Sequence, residues 1–206
     1  RADRKFPYEE TVPKGSDYAR FVGDGQQDHA ENAEVCGYYP YVHRANYIWR
    51  GMKADIWEGG HRVPFIVRWP GHIKDGTKTN QTICITDIMA TVANVIGYSL
   101  NKDEGEDSFS FMPLLTGKTH EISRPPVVHH SAGGMFAIRQ GKWKMVFGNG
   151  SGGRQVPRGE PFKKPYYLFN LKNDPAETTN LIDQYPKIAN RLTEQLERIR
   201  NNKTGK

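Results

Sequence analysis

Residues 50–71 read RGMKADIWEGGHRVPFIVRWPG. This stretch packs one lysine, an acidic residue followed by two glycines, a His–Arg pair and a Pro-Gly-closed apolar run into a short space. Gly59-Gly60 marks a turn or a close approach of two backbones, because a residue without Cβ reaches positive φ at no steric cost. Residues 63–69 are a β-rich apolar run with Pro64 near its start and Pro70-Gly71 at its end. A run this short and this apolar predicts a strand buried on both faces. Lys53 and Trp57 fall just before the turn, where a strand end or loop presents side chains to a cleft.

Downstream, residues 83–97 have the pattern of an amphipathic helix. Thr86 is its expected N-cap, Asp87 sits in the first turn and Gly97 is a C′ stop. Ile88, Met89, Val92, Val95 and Ile96 share one face at helical spacing and are expected in the core. Residues 99–126 read as a connector with a short helical turn near 111–115. From residue 126 the texture changes to four short β-rich runs, at 127–130, 135–139, 143–147 and 166–171. Gly133-Gly134 and Gln140-Gly141 separate the first three at hairpin distances, which predicts a small antiparallel sheet. Residues 148–165, rich in Gly, Pro, Lys and Arg, are expected to be an exposed loop. A last helix starts near Pro186, a good N1 residue, and runs to about Arg200 with Ile188, Leu192, Leu196 and Ile199 as its buried stripe, packed across the sheet.

The chain has 206 residues, room for one good-sized domain or one and a fraction. A hydrophobic share of 36% with 21 Gly and 13 Pro is low for a self-contained core and suggests material lent to a larger one. The net charge of +6 suits a solvated basic surface or an anionic partner such as a sulfated carbohydrate. No block of five like charges and no basic helix is present, which argues against nucleic-acid binding. Cys36 and Cys84 form no C-x-x-C motif. No apolar run is long enough to span a bilayer. Residues 1–49 are polar and aperiodic, a long loop of the kind that belongs to a functional region or to a missing partner segment. Arg1 in place of a start methionine suggests a processed or incomplete chain.

The 50–71 block resembles the type I sulfatases, the formylglycine-dependent sulfate ester hydrolases of the alkaline-phosphatase-like superfamily. Arg50-Gly51-Met52-Lys53, Glu58-Gly59-Gly60-His61-Arg62-Val63-Pro64 and Trp69-Pro70-Gly71 carry the likeness. Thr86-Asp87-Ile88, Ala137-Ile138-Arg139, Lys142-Trp143-Lys144, Leu168-Phe169-Asn170-Leu171, Asp174-Pro175, Glu177-Thr178 and Asn180-Leu181 follow in order, so it covers roughly residues 45–200. The resemblance implies an α/β fold. Residues 1–125, with 1–49 mostly loop, would be the C-terminal part of a catalytic domain built on an alkaline-phosphatase-like sheet. Residues 126–206 would be a small α+β subdomain, an antiparallel sheet packed by a C-terminal helix. It implies a parent enzyme that hydrolyses aryl or carbohydrate sulfate monoesters, with the N-terminal portion of the same enzyme as partner. By family analogy it also implies export to periplasm, lysosome or the cell exterior, as is usual for relatives.

Hydrolysis of a sulfate ester needs an in-line nucleophile, cations on the non-bridging oxygens and a proton donor for the leaving alcohol. Lysine suits the second role as a point charge with three donors. The resemblance places Lys53 at the family's active-site lysine; a lone Lys without that motif would be an ordinary surface residue. Glu58 and Arg62 read as structural, pairing around the glycine turn. His61 is either a satisfied structural residue or a contact at the cleft mouth. His129 and His130 end an expected strand, so at most one points at a given site. His43, with Arg44, could line the same pocket.

The family's C-x-P-S-R nucleophile motif does not occur, since Cys36 precedes Gly-Tyr-Tyr-Pro and Cys84 precedes Ile-Thr-Asp. The paired metal-binding aspartates and the Asp-Asn motif are absent too. The expected cofactors of the parent, Ca2+ and a formylglycine, would therefore come from outside this chain, which alone should not turn over. Two other readings fit parts of the pattern. A phosphodiesterase or phosphonate hydrolase relative would share the lysine motif. A carbohydrate-binding module would use Trp49, Trp57, Trp69 and Trp143 as stacking platforms.

Overall fold

The computed structural model describes residue 46 and residues 48–201. Its elements run α1 (Glu58–His61), α2 (Asp87–Val95), α3 (Met112–Leu115), β1 (Val127–His130), β2 (Phe136–Gln140), β3 (Trp143–Phe147), β4 (Tyr167–Asn170) and α4 (Pro186–Asn201). The four strands form one antiparallel sheet in the order β1-β2-β3-β4. Sequence neighbours pair because each link is short. Between β1 and β2 the chain closes on itself, with the Ser131 N–H donating to Met135 O at 2.9 Å and the Met135 N–H to Ser131 Oγ at 3.1 Å. Two residues, Gly141-Lys142, link β2 to β3. Helix α4 keeps Ala189, Leu192 and Leu196 buried, while Ile188 and Ile199 are half-buried at the margins of the stripe.

The described chain divides into two compact units. One comprises residues 1–62 in their described part, 129–137 and 145–184; the other comprises residues 63–128, 138–144 and the described part of 185–206. The first has a core of Ile56, Trp57, Met135, Ala137, Val146, Phe169 and Leu171, with Tyr167 packed against it. Tyr167 and Phe169 lie on the same side of β4, as residues two apart in a strand must, and Trp57 meets both edge-on at 5.5 and 6.0 Å.

In the second unit two sequence expectations are overturned. Residues 63–69 form no strand, and Val63, Phe65, Ile66 and Val67 are exposed, Ile66 at 91%. A strand exists only by pairing with a neighbour, and no described segment pairs with this one. Helix α2 forms where expected, and Gly97 ends it at φ +72°. Tyr98 N–H returns to Ala93 O and Gly97 N–H to Asn94 O, the double bond pattern of a Schellman stop. Yet α2 buries the face opposite to the one expected. Asp87, Ala90, Thr91 and Ala93 are inside, while Ile88, Met89, Val92, Val95 and Ile96 are 37–72% exposed. Small and polar residues win that face because they bond the incoming connector. Ser108 Oγ accepts Ala90 N–H (2.8 Å), Thr91 Oγ1 accepts Phe111 N–H (3.1 Å) and Asp87 Oδ1 accepts Phe109 N–H (3.0 Å). Thr86 does not cap with its side chain; its hydroxyl reaches Asp107 O.

The 148–165 loop also differs from expectation. Its second half is exposed, but most of 148–155 is buried. That half is bonded to the lysine-bearing stretch, as described next.

Candidate functional site

Lys53 sits in a tight turn. Asp55 N–H donates to Met52 O at 3.0 Å, and Asp55 Oδ2 accepts Met52 N–H at 2.9 Å, so the two residues flanking Lys53-Ala54 are tied to each other twice. Ala54 takes φ +85°, a left-handed conformation that costs an L-residue about 1 kcal/mol or more. Its carbonyl accepts Ala132 N–H at 3.0 Å. The Lys53 side chain is exposed and makes no hydrogen bond or ion pair among the described residues.

The expected turn at Gly59-Gly60 is the four-residue helical turn α1. The glycines are needed for close approach and not for positive φ. A Cβ on Gly59 would stand 2.6 Å from Arg50 O, and one on Gly60 would overlap Asp55 O and lie 2.9 Å from Met52 O. Gly59 N–H donates to Arg50 O at 2.7 Å. Trp57, 1% exposed, is a core residue under the Arg50 guanidinium, which lies 3.7 Å from its ring centroid. Buried Trp57 cannot serve as a sugar-stacking platform. Trp49 lies beneath Arg62, Trp69 stacks on His72 and Trp143 packs on Tyr185.

Glu177 lies at the base of this arrangement and carried no signal in the sequence beyond its place in a motif. Asp174 folds its loop: Oδ2 accepts the N–H groups of Thr178 and Thr179, both at 2.8 Å. The tight path puts Glu177 at φ +54° with a fully buried side chain. Its Oε2 accepts Glu58 N–H at 2.6 Å, an anion at the start of α1, and its carbonyl accepts Arg50 Nη1 at 3.0 Å. Arg50 has its pKa lowered, by burial first and against the opposing charge of Glu177.

Glu58 and Arg62 meet at 3.8 Å, the structural pairing read from the sequence. The candidate substrate residues separate into groups. His61 and His129 come together with ring centroids 4.2 Å apart. His130 turns elsewhere: its Nδ1 is 2.8 Å from Ser131 O and its ring tilts against Phe136. His43 lies outside the described residues.

The loop at 151–155 is the part of this region that local pattern could not reveal. Ser151 O accepts Ile56 N–H at 2.8 Å, and Asp55 Oδ1 accepts the N–H groups of Arg154 (2.6 Å) and Gln155 (3.0 Å). Both sides of Asp55 are thereby occupied by backbone donors, and Glu177 directs Oε2 at another. No three of His, Cys, Asp and Glu among the described residues converge as metal ligands. These carboxylates do not fit a calcium cage, whose oxygens must face the ion. Cys84 does not fit the formylglycine role either; its Sγ lies 3.4 Å from Arg124 Nη1, outside any C-x-P-S-R context. No helix of the described residues is long and apolar enough to cross a membrane.

The fold and the lysine turn define a class, and comparison with known proteins agrees. The sulfatase family model matches residues 21–98. An N-acetylgalactosamine-6-O-sulfatase of Bacteroides thetaiotaomicron is 31% identical over 192 residues, 90% of this chain and 35% of that enzyme. Human steryl-sulfatase is 39% identical over 95 residues, 46% of this chain and 16% of that protein. A solved structure from a study of glycosaminoglycan metabolism by Bacteroides thetaiotaomicron superposes with a TM-score of 0.67 at 30% identity, over 85% of this chain and 35% of that one. A sulfatase from Pseudoalteromonas shares the fold, with a TM-score of 0.56 at 24% identity over 76% of this chain and 34% of its own. The family model, the relatives and the shared fold are together consistent with a fragment of a sulfatase of the alkaline-phosphatase-like superfamily. It spans about a third of the length of the Bacteroides enzyme that it matches over most of its sequence.

Proposed function

We propose that this chain is the C-terminal portion of a sulfatase that hydrolyses sulfate monoesters of carbohydrates or aryl alcohols, and that Lys53 is its contribution to the chemistry. One observation carries the reading: Lys53 extends, unpaired among the described residues, from a turn whose backbone is fixed on both sides and strained at Ala54. A lysine carried on a fixed backbone presents its ammonium from a set point to charge that builds on ester oxygens as the S–O bond breaks. His61 and His129, in contact through their rings, would shape the mouth of the same pocket. The nucleophile and metal belong to the N-terminal portion of the enzyme. The uncovered apolar groups of residues 63–67 and of α2 suit that portion as their cover, since burying them removes large apolar surface from water. The chain alone is expected to be inactive.

The test is Lys53→Ala in the full-length enzyme, assayed with 4-methylumbelliferyl sulfate. Loss of a well-placed cation should lower kcat/KM by about two to four orders of magnitude. A variant that keeps near-normal kcat/KM removes Lys53 from the active site.

A further inference from the structure

Asp55 is buried completely, and its carboxylate accepts three backbone N–H groups. Oδ2 holds Met52 N–H at 2.9 Å; Oδ1 holds Arg154 N–H at 2.6 Å and Gln155 N–H at 3.0 Å. Its own N–H closes the turn onto Met52 O. Lys53 and Ala54 are the two residues inside that closure. On the far side Gly153 presses against the same peptide, and a Cβ there would lie 2.5 Å from both Ala54 C and Asp55 Oδ1. Ala132 N–H holds Ala54 O from a third direction.

We propose that Asp55 is a positioning residue, one whose carboxylate clamps the Met52–Asp55 turn to the 151–155 loop and so fixes where the Lys53 ammonium stands. The inference rests on the sulfate-facing role of Lys53. A side chain with four rotatable bonds is aimed only as well as its backbone is held, and a displacement of about 1 Å at a reacting centre costs on the order of a hundredfold in rate. Asparagine tests the clamp selectively. Its oxygen can still accept from Arg154 and Gln155, but its NH2 group then faces Met52 N–H, donor against donor.

The experiment is a double-mutant cycle in the full-length enzyme with 4-methylumbelliferyl sulfate. Asp55→Asn should lower kcat/KM about ten- to a hundredfold, mostly through kcat, and should add nothing in a Lys53→Ala background. Gly153→Ala, whose Cβ would press on both the Ala54 peptide and the Asp55 carboxylate while leaving the carboxylate chemically intact, should show the same coupling and covers the case in which Asp55→Asn does not fold. If either variant lowers kcat/KM by an equal factor with and without Lys53, the residue is merely structural and the proposal is overturned. It is overturned as well if both variants leave kcat/KM unchanged. A Lys53→Ala enzyme with full activity would instead sink the role of Lys53, and the positioning role with it.

Discussion

Replacing Glu177 should loosen the lysine-bearing segment, because its carboxylate holds the first N–H of α1. In Glu177→Ala, the fully buried Glu58 N–H loses an anionic acceptor at 2.6 Å. A hydrogen bond to a charged group contributes about 1.5–3 kcal/mol, and an orphaned buried donor costs about 1–3 kcal/mol; these overlap, giving about 3 kcal/mol. The left-handed conformation at φ +54° is no easier for Ala, so no strain is relieved. Arg50, stacked on Trp57, also loses its main opposing charge. Glu177→Gln keeps an oxygen in place and gives up only the charge, at about 1 kcal/mol. Hydrogen exchange of the full-length protein, followed by mass spectrometry over residues 50–62, reads the local opening directly. At 1.4 kcal/mol per decade, exchange should speed by about a hundredfold in the Ala variant and about fivefold in the Gln variant. Wild-type exchange rates in Glu177→Ala would refute the claim that this carboxylate holds α1.

Two further outcomes follow from the second unit. Arg124 Nη2 meets Asp87 Oδ1 at 3.2 Å, with side-chain exposures of 10% and 0%. Arg124→Met strands a buried carboxylate that still accepts from Cys84 and Phe109 N–H, so the loss should lie near the low end of the range for broken buried pairs, about 3 kcal/mol, read as a lowered urea midpoint; an unchanged midpoint would contradict it. At the surface, Glu104 accepts the N–H of Asn101 and the hydroxyl of Tyr98, which lower its pKa, the backbone bond foremost; the same contact raises that of Tyr98. The Glu104 contribution to stability is therefore present above the ordinary glutamate pKa and fades as pH falls through the lowered value. The Tyr98 contribution is present below the ordinary tyrosine pKa and fades as pH rises through the raised one. Carboxylate NMR titration should show the Glu104 midpoint moving up in Tyr98→Phe; an unmoved midpoint would rule the contact out.

Much of the local architecture was legible in the chain. Strands β1 to β4 and helix α4 follow from short-range alternation and periodicity, and each lies within a residue or two of where the pattern puts it. The lysine turn was legible through its motif. The 63–69 run and α2 were misread for one reason. Their apolar pattern states that something must cover them, but not that the cover is among these residues. The braces of Lys53 were invisible as well. Asp55 reaches Arg154 across 99 residues and Glu177 reaches Glu58 across 119, and no periodicity records a bond of that span. Only the motif match at Glu177-Thr178 pointed there, and it assigned no role.

The sequence by itself determined the family, the order of the small sheet and the identity of the candidate cation, because motif spacing and two-residue or helical periods are local properties of a chain. Tertiary structure alone decided which face of α2 is inside, why Gly59 and Gly60 must lack side chains, that His61 meets His129 rather than His130, and which distant loop holds the turn under Lys53. Those outcomes depend on where backbone donors and acceptors converge after folding, and a buried carboxylate is placed by the N–H groups that surround it in space.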